Sequence, residues 1–409
     1  MADTLHMASP GINTNEQAPS LKPDLDAFLS LGFRPLYIAG CAWALVSIAL
    51  WIFMPHWLQQ PLYGLAWHAH EMLWGFIGTI AVGFLLTASA TWTGHNPARG
   101  ATLAGLCLLW LAARPAYLVD HPLAFQVGLI AESLFFGLSA LVLMRVMLKG
   151  NSRRNYGVPL MVLGLGLTNI LFLLASQQGN YLVLMQRFDL GLLCMAMLAL
   201  LIGRRVIPFF AMRMVPGLAL PMQVRSGQIQ LGATGIAIAL GLAGQQVLMA
   251  PVLAFTGLVS LWQVMGWKPA AVLHKPMLWI LYLGYGALGA GLLLAALHSA
   301  GLTSGALGRS ATHVHTIGMG GFAVLIIGMV TRTALGHLGR PLQLDASMLV
   351  SYWLMIAAVV LRLLALLPSA ASTPLLHASA ACWITCMALY LWRFVPMLIR
   401  PRPDRPLER

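Results

Sequence analysis

Long apolar stretches separated by short polar ones recur along the chain between residues 31 and 397. An α-helix needs about 20 apolar residues to cross the hydrocarbon core of a bilayer. Twelve such stretches can be placed, although pattern alone leaves their ends uncertain by a few residues. They cover residues 31–53, 67–91, 98–119, 122–148, 156–176, 181–206, 228–247, 249–266, 276–297, 311–333, 346–367 and 373–397. The pattern predicts an all-α, polytopic bundle of about 12 transmembrane helices in a lipid bilayer.

The composition supports a membrane protein and excludes a soluble one. The chain is 59% hydrophobic and only 9% charged, whereas soluble domains carry about 25% charged residues. Residues 1–28 are polar, lack the apolar core of a signal peptide, and are predicted to form a flexible cytoplasmic tail. Residues 29–399 are predicted to form the membrane domain, and residues 400–409 a basic cytoplasmic tail.

The positive charge of the chain, +13 in formal terms, has a topological explanation. Most Lys and Arg side chains fall after even-numbered predicted helices or in the C-terminal tail. Arg204, Arg205 and Arg213, for example, are expected in the loop that follows the sixth helix. Because cytoplasmic loops are enriched in Lys and Arg, both termini are predicted to be cytoplasmic. Nucleic-acid binding would need a basic patch with its own fold, and none is predicted.

Several charged residues fall within or beside the predicted helices, where a charge costs about 2.5 kcal/mol or more. They are Glu71, Arg114, Glu132, Arg187, Asp189, Arg332 and Arg362. One interpretation is that they form buried salt bridges that fix the register of the helices. The other is functional, with Glu71 and Glu132 as groups that orient a histidine or relay protons, and with Arg114, Arg187 and Arg362 as partners of an anionic cofactor.

An internal repeat gives the most specific signal. Residues 67–71 are Trp-His-Ala-His-Glu, and residues 312–316 are Thr-His-Val-His-Thr. Glycines recur five and thirteen residues after the second histidine of each pair, at Gly75, Gly83, Gly320 and Gly328. Both segments open even-numbered helices, which run in the same direction. The two histidine pairs are therefore predicted to lie at the same depth, near the outer membrane surface.

Histidines at this spacing can serve two sites, because residues i and i+2 of an α-helix point about 200° apart. Imidazole is a ligand for haem iron and for copper. We predict that His70 and His315 hold one haem b between two helices. His68 and His313 would then bind copper or a second haem. Met72 and Met319, each one turn from a histidine of a pair, offer thioether ligands for copper.

Other histidines and the cysteines have simpler interpretations. His95 and His337 each follow a glycine and are expected at the C-terminal caps of their helices. Four isolated histidines are expected to be interface residues at helix ends, namely His56, His121, His298 and His377. The five cysteines fall in apolar runs and are expected to act as small buried hydrophobic residues, with a thiolate metal site as the alternative.

The same segments resemble the NnrS family of bacterial membrane proteins. The resemblance extends over nearly the whole bundle and rests on residues 32–35, 67–72, 83–88, 92–94, 204–210, 328–337 and 339–342. It implies a haem- and copper-containing protein of the bacterial inner membrane that is linked to nitric oxide and nitrosative stress. The assignment of individual ligands comes from the spacing above and is not implied by the resemblance.

Two hypotheses for function follow. The first is a redox protein that handles nitric oxide or its iron adducts at a histidine-ligated haem near the periplasmic side, with quinol as a candidate electron donor. As an enzyme it would be a membrane oxidoreductase. The second is a transporter or sensor for a metal or nitrosyl species, because many carriers are built from repeats. The absence of matching Gly- or Pro-broken helices in the sequence argues against the second.

Overall fold

The computed structural model describes residues 22–58, 62 and 64–403. Within that part of the chain all regular structure is helical. Twelve long helices follow one another: α1 Phe33–Phe53, α2 Gly64–Thr93, α3 Gly100–Ala116, α4 Pro122–Lys149, α5 Gly157–Ser176, α6 Tyr181–Met214, α7 Val224–Leu242, α8 Gln246–Gly266, α9 Pro276–Ser299, α10 Ser310–His337, α11 Ala346–Leu364 and α12 Ser372–Leu398. Most of both predicted tails, residues 1–21 and 404–409, lies outside the described residues.

Ten of these helices are long and apolar enough to cross a membrane. The other two are α3, which is apolar but has 17 residues, and α7. The prediction of an all-α, polytopic helix bundle is therefore confirmed.

The helices are arranged with α2 and α10 towards the inside. Nearly all consecutive helices pack on each other, and α12 packs on α1 so that the series closes on itself. In its most apolar window α2 has 83% of its residues buried within the protein, against 28% for α11. Apolar residues of α11 face outward, as expected for a helix in contact with lipid.

Both inner helices contain a π-helical segment at the same place. The segment is Glu71–Gly78 in α2 and Thr316–Ala323 in α10, and each begins directly after the second histidine of a pair. The two segments contact each other. A π-turn closes with an i→i+5 hydrogen bond, is rare, and is frequent at functional sites. The internal repeat seen in the sequence is thus also a repeat of this irregular backbone.

The two ends of the described chain meet at one end of the bundle. Arg34, in the first turn of α1, donates hydrogen bonds from Nη1 to the carbonyl oxygens of Leu398 and Arg400, at 2.9 and 2.7 Å. His337, which ends α10, lies with its ring 5.6 Å from that of Phe33. The paired histidines lie at the opposite end, beside Trp51 near the end of α1. This agrees with an even number of crossings.

The sixth helix is longer than the pattern predicted. α6 continues to Met214, so that Arg204, Arg205 and Arg213 lie on the helix, and their predicted place in the following loop was wrong. Arginine favours helix about as well as leucine does, so the change from apolar to basic residues does not end the helix. Arg205 donates a hydrogen bond to Asn155 Oδ1 at 2.6 Å, and Arg204 packs against Gly227.

The two glycine–histidine caps differ from each other. Gly94 follows the last residue of α2 with a left-handed φ of 73°, as a C-cap glycine does. Gly336 lies within α10, and the left-handed glycine there is Gly339, with φ 65°. The prediction of a cap at Gly336 was wrong, because α10 continues through His337. The left-handed glycine lies three residues later, at Gly339.

Candidate histidine site

One histidine from each pair faces the other across the boundary between α2 and α10. The ring centroids of His68 and His315 are 6.4 Å apart, and the planes differ by 21°. His68 also stacks on Trp51 of α1, with centroids 5.1 Å apart and planes within 7°. The prediction that the two pairs lie at one level agrees with this geometry.

A cavity of about 190 Å³ adjoins the two rings. Met72 and Met319 line it together with His68 and His315, so four of the six predicted nitrogen and sulfur donors share one space. Gly318 also lines it, and a Cβ placed on that glycine would meet no atom within 4 Å. The remaining wall is mostly apolar.

The hydrogen bonds of His315 determine which of its nitrogens is available. Nδ1 lies 2.7 Å from the carbonyl oxygen of Ala311, to which it can only donate. Nε2 then carries a lone pair, and Arg362 of α11 donates to it from Nε at 3.3 Å. Metal-ligating histidines usually donate their second ring nitrogen to a carbonyl or carboxylate in this way.

His68 has an unused nitrogen. Its Nδ1 is buried and has no hydrogen-bond partner among the described residues. A buried polar atom without a partner costs about 1–3 kcal/mol. An atom of this kind calls for a partner that the protein itself does not supply.

The second histidine of the first pair, His70, points away from this cavity into a cluster of charged groups. Its Nδ1 lies 2.9 Å from Glu71 Oε1, and its Nε2 lies 2.9 Å from Glu132 Oε2. Asn169 Oδ1 is 3.0 Å from the same Nε2. Both ring nitrogens are engaged by oxygen acceptors, which fits a doubly protonated ring. His70 therefore offers no lone pair to a metal in this arrangement.

Arg114 of α3 joins the two carboxylates of this cluster. Its guanidinium forms ion pairs with Glu71 through Nη1 and with Glu132 through Nη2. All four charged side chains are almost fully buried, and the two acids balance the guanidinium and a protonated His70. The absence of a side chain at Gly75 leaves the space that the Arg114–Glu71 pair occupies. Buried charges are tolerated when they are paired and hydrogen-bonded in this way.

Three polar partners in the cluster could not be inferred from the sequence. Tyr117 donates to Glu132 Oε2 at 3.2 Å, and Asn169 donates to the same oxygen at 3.0 Å. Trp43 donates from Nε1 to Glu71 Oε2 at 2.5 Å. Uncharged residues in apolar helices gave no signal of their own. Only their placement at the end of α3, on α5 and on α1 brings them to the carboxylates.

The second pair also divides between two sides of its helix. His313 faces α9 and α6, where its ring lies 4.8 Å from that of His298 and its Nε2 lies 3.8 Å from Asp189 Oδ1. Arg187, two residues before Asp189, is half-buried and makes no hydrogen bond or ion pair with any residue that the structure describes.

The structure thus brings together a different pair from the one predicted to hold haem. His315 faces His68, and His70 is engaged by Glu71 and Glu132 on the other side of α2. The i, i+2 spacing does send the two histidines of each pair to different sides. Spacing alone cannot say which neighbouring helix lies on which side. For this reason the sequence paired His70 with His315, whereas in the structure His68 lies beside His315.

The residues present fit a metal-containing group between His68 and His315. His68 has a buried Nδ1 without a hydrogen-bond partner among the described residues, and His315 has an Nε2 lone pair beside the same cavity. No group of three or more His, Cys, Asp and Glu side chains among the described residues forms a metal site by itself. The donors here are two imidazoles with two thioethers nearby.

The fold and the histidines define a polytopic helical membrane protein whose two histidine pairs lie at one end of the bundle. The family model described as NnrS protein matches residues 27–402, which include all twelve helices. The chain belongs to the NnrS family. Membership suggests a role in the response to nitric oxide. No curated protein matches the chain.

Proposed function

We propose that this protein is an inner-membrane redox protein that handles nitric oxide or its iron adducts at a haem held between α2 and α10. The observation that carries the proposal is the pair formed by His68 and His315. The two imidazoles belong to a duplicated motif and lie 6.4 Å apart beside a cavity. When bound, haem iron would supply the one-electron chemistry and the open-shell centre that nitric oxide needs.

The side chains around the cavity have distinct roles in this proposal. His68 and His315 would hold the haem iron, and the carbonyl of Ala311 keeps the Nε2 lone pair of His315 available. Arg362 supplies a positive charge at the cavity wall, where it could pair with a propionate. Trp51 fixes the plane of His68 by stacking. Gly318 keeps the cavity wall open.

The charged cluster around Arg114 supports the site from the far side of α2. It ties α2 to α3 and α4 through ion pairs, and to α5 through Asn169. Since His68 lies two residues from His70, a firmly held His70 also fixes the backbone that presents His68. Glu71 orients His70, and Glu132 and His70 share the hydrogen bond along which a proton could pass.

Copper is the other metal that the donors suit. Met72 and Met319 add two thioethers to the two imidazoles, a donor set that favours copper(I). Either this ion or a haem would use the same two histidines. The two occupants are separated by their spectra and by elemental analysis.

The test is the absorption spectrum and metal content of the purified, detergent-solubilised protein. We expect a Soret band that is lost in His68→Ala and in His315→Ala but retained in His377→Ala, since His377 lies on the exposed face of α12. Copper with no Soret band, lost in the same two variants, would replace haem by the copper(I) alternative. Absence of both would overturn the proposal.

A transporter or sensor for a metal or nitrosyl species is the second candidate, and the paired π-segments favour it. Repeat-built carriers bind their substrates at irregular helical segments in matching positions. The sequence shows no pair of helices interrupted by Gly or Pro at matching positions. The structure instead has π-helical segments at matching positions of α2 and α10. Metal uptake into proteoliposomes without redox turnover would support this candidate over the first.

A further inference from the structure

We propose that a second cavity, deeper in the membrane than the one beside His68, binds nitric oxide and supplies it to the histidine site. This deep cavity has a volume of about 90 Å³. Side chains of α2, α6 and α10 form most of its wall, and α1 and α9 contribute Tyr37 and Leu281. The inference rests on the proposed function, because it takes nitric oxide as the molecule handled at the histidines.

The wall of the deep cavity is apolar. Tyr37 has the only side-chain oxygen or nitrogen among the described lining residues. A buried water needs two to four polar partners, whereas apolar cavities stay dry and take up xenon or benzene. Benzene is held by a cavity of roughly 150 Å³. The deep cavity is smaller, so it suits one or two small gas molecules and excludes a quinone ring.

The depth of the cavity suits a gas that dissolves in lipid. Ile77 and Phe84 of α2 line it and follow His68 by nine and sixteen residues. At 1.5 Å per residue they lie roughly 13–24 Å below that histidine, within a hydrocarbon core about 30 Å thick. Small uncharged solutes collect there, because transfer of apolar surface out of water is favourable.

The deep cavity differs from the cavity beside His68 in its exposure. None of its described lining residues is exposed. The cavity beside His68 includes the exposed Leu65 and Tyr181 in its wall. The deep cavity is therefore a closed space within the bundle, where a ligand is shielded from water.

A single side chain separates the two cavities on α2. Ile77 lines both of them and is 4% exposed. On α10, Met319 lines the cavity beside His68, and Phe322, about one turn further, lines the deep one. Side chains in packed interiors still change rotamer. We expect rotation of Ile77 to let a diatomic molecule pass from one cavity to the other.

Small side chains keep the deep cavity open. Ala81 of α2 and Ala199 of α6 both line it. Packed interiors contain few voids larger than a water molecule, and one larger side chain at either position would fill much of this one. Neither alanine lines the cavity beside His68, so the two spaces can be altered separately.

Xenon binding tests the site without haem. Crystals of the full-length protein pressurised with xenon should show anomalous density in the deep cavity. Ala199→Leu should remove that density, and Ala239→Leu on the exposed face of α7 should retain it. The result does not depend on any bound chromophore, so failure of the haem proposal is a separate outcome. Absence of xenon from the deep cavity of the parent would overturn the inference.

The rebinding of carbon monoxide after flash photolysis of the reduced protein tests the supply of gas. A route changes the rates of entry and exit equally and leaves the affinity unchanged. In Ala199→Leu both rate constants should fall by roughly three- to tenfold, equivalent to about 0.6–1.4 kcal/mol of added barrier. Ala239→Leu should match the parent.

Ala81→Leu fills the deep cavity from the opposite wall and should give the same result as Ala199→Leu. Size-exclusion profiles and absorption spectra matched to the parent show that each variant is folded. Unchanged rates in both variants would overturn the supply role, even with xenon bound in the parent. A change in affinity would also overturn it, because the substitution would then act on the histidine site itself.

Discussion

Arg362 on α11 donates a hydrogen bond from Nε to Nε2 of His315 on α10, at 3.3 Å. The contact places a guanidinium beside the one nitrogen of His315 that is free to bind a metal. A metal bound there would displace this hydrogen bond but would keep the positive charge nearby. We therefore expect Arg362 to affect both the affinity and the redox properties of the proposed site.

Replacing Arg362 by Gln should lower the midpoint potential of the bound group, because removal of a nearby positive charge favours the oxidised form. Each 1 kcal/mol of lost interaction corresponds to roughly 40 mV for a one-electron couple. Spectroscopic redox titration measures the shift. Arg362→Lys should restore most of it, and an unchanged potential in Arg362→Gln would mean that the guanidinium lies outside the field of the bound group.

Substitution of His68 and substitution of His70 should have opposite effects on haem binding and on stability. His68→Ala removes a ring with an unpartnered nitrogen and should abolish the Soret band while leaving a folded protein. His70→Gln loses charge-assisted hydrogen bonds worth about 1.5–3 kcal/mol each, so it should lower the unfolding temperature and keep the band. Loss of haem in a folded His70→Gln, with retention in His68→Ala, would restore the original prediction from the sequence.

Arg114→Met should be among the most damaging single changes in the protein. It leaves Glu71 and Glu132 buried without their shared cation, and breaking a buried ion pair costs about 3–5 kcal/mol. Thermal unfolding in detergent measures the effect. Arg145→Met on the exposed face of α4 is the matched control. The triple variant with Glu71→Gln and Glu132→Gln should recover part of the loss, and if it does not, the pairing has little energetic weight.

Gly318→Leu should fill the cavity without disturbing the packing. A side chain at Gly318 meets open space, and the cavity of about 190 Å³ is next to it. We expect loss of the bound group with little change in unfolding temperature. Gly286→Leu on α9, also in open space but away from the cavity, is the control. Full occupancy in Gly318→Leu would place the bound group elsewhere.

Asp345 gives a pH-dependent contribution to stability. It caps α11 by accepting from the backbone N–H of Met348 at 3.1 Å, and it also pairs with Arg393. Burial alone would raise the pKa of this carboxyl, but the hydrogen bonds from Ser347 and Met348 and the pairing with Arg393 outweigh it and leave the pKa below its usual value.

Because the folded-state pKa is lowered, the stabilisation is present above about pH 4, the ordinary range of an aspartate. It is lost as the pH falls further. Asp345→Ala should cost about 1 kcal/mol near neutral pH. Asp345→Asn, which can still cap the helix, should cost less. Unfolding measured from pH 7 down to pH 3 should show the gap between wild type and Asp345→Ala narrowing, and a gap that widens would contradict the assignment.

The sequence was sufficient for the number of helices and for the common depth of the two histidine pairs. Both follow from local pattern and from the direction in which even-numbered helices run. It was insufficient for the partner of each histidine, because that depends on which helix packs against each side of α2 and α10. The same limit applies to Arg114, whose carboxylate partners lie on α2 and α4.

Two other features left no trace in the apolar pattern. The π-segments differ from α-helix in their backbone hydrogen bonds and are as apolar as the helix around them. A hydropathy pattern therefore cannot distinguish them from α-helix. The partners Tyr117 and Asn169 are uncharged residues in a largely apolar sequence. Residues of this kind become informative only when a buried charge is found beside them.

The twin π-segments also have a consequence for how such a chain can change over time. A π-turn holds one residue more than an α-turn, so loss of one residue from such a segment can restore α-helical backbone while the residues below keep their direction relative to the histidines. The same deletion in a regular part of the helix would turn one half against the other by about 100°. Single-residue deletions in α2 and α10 should therefore be tolerated best within these sixteen positions.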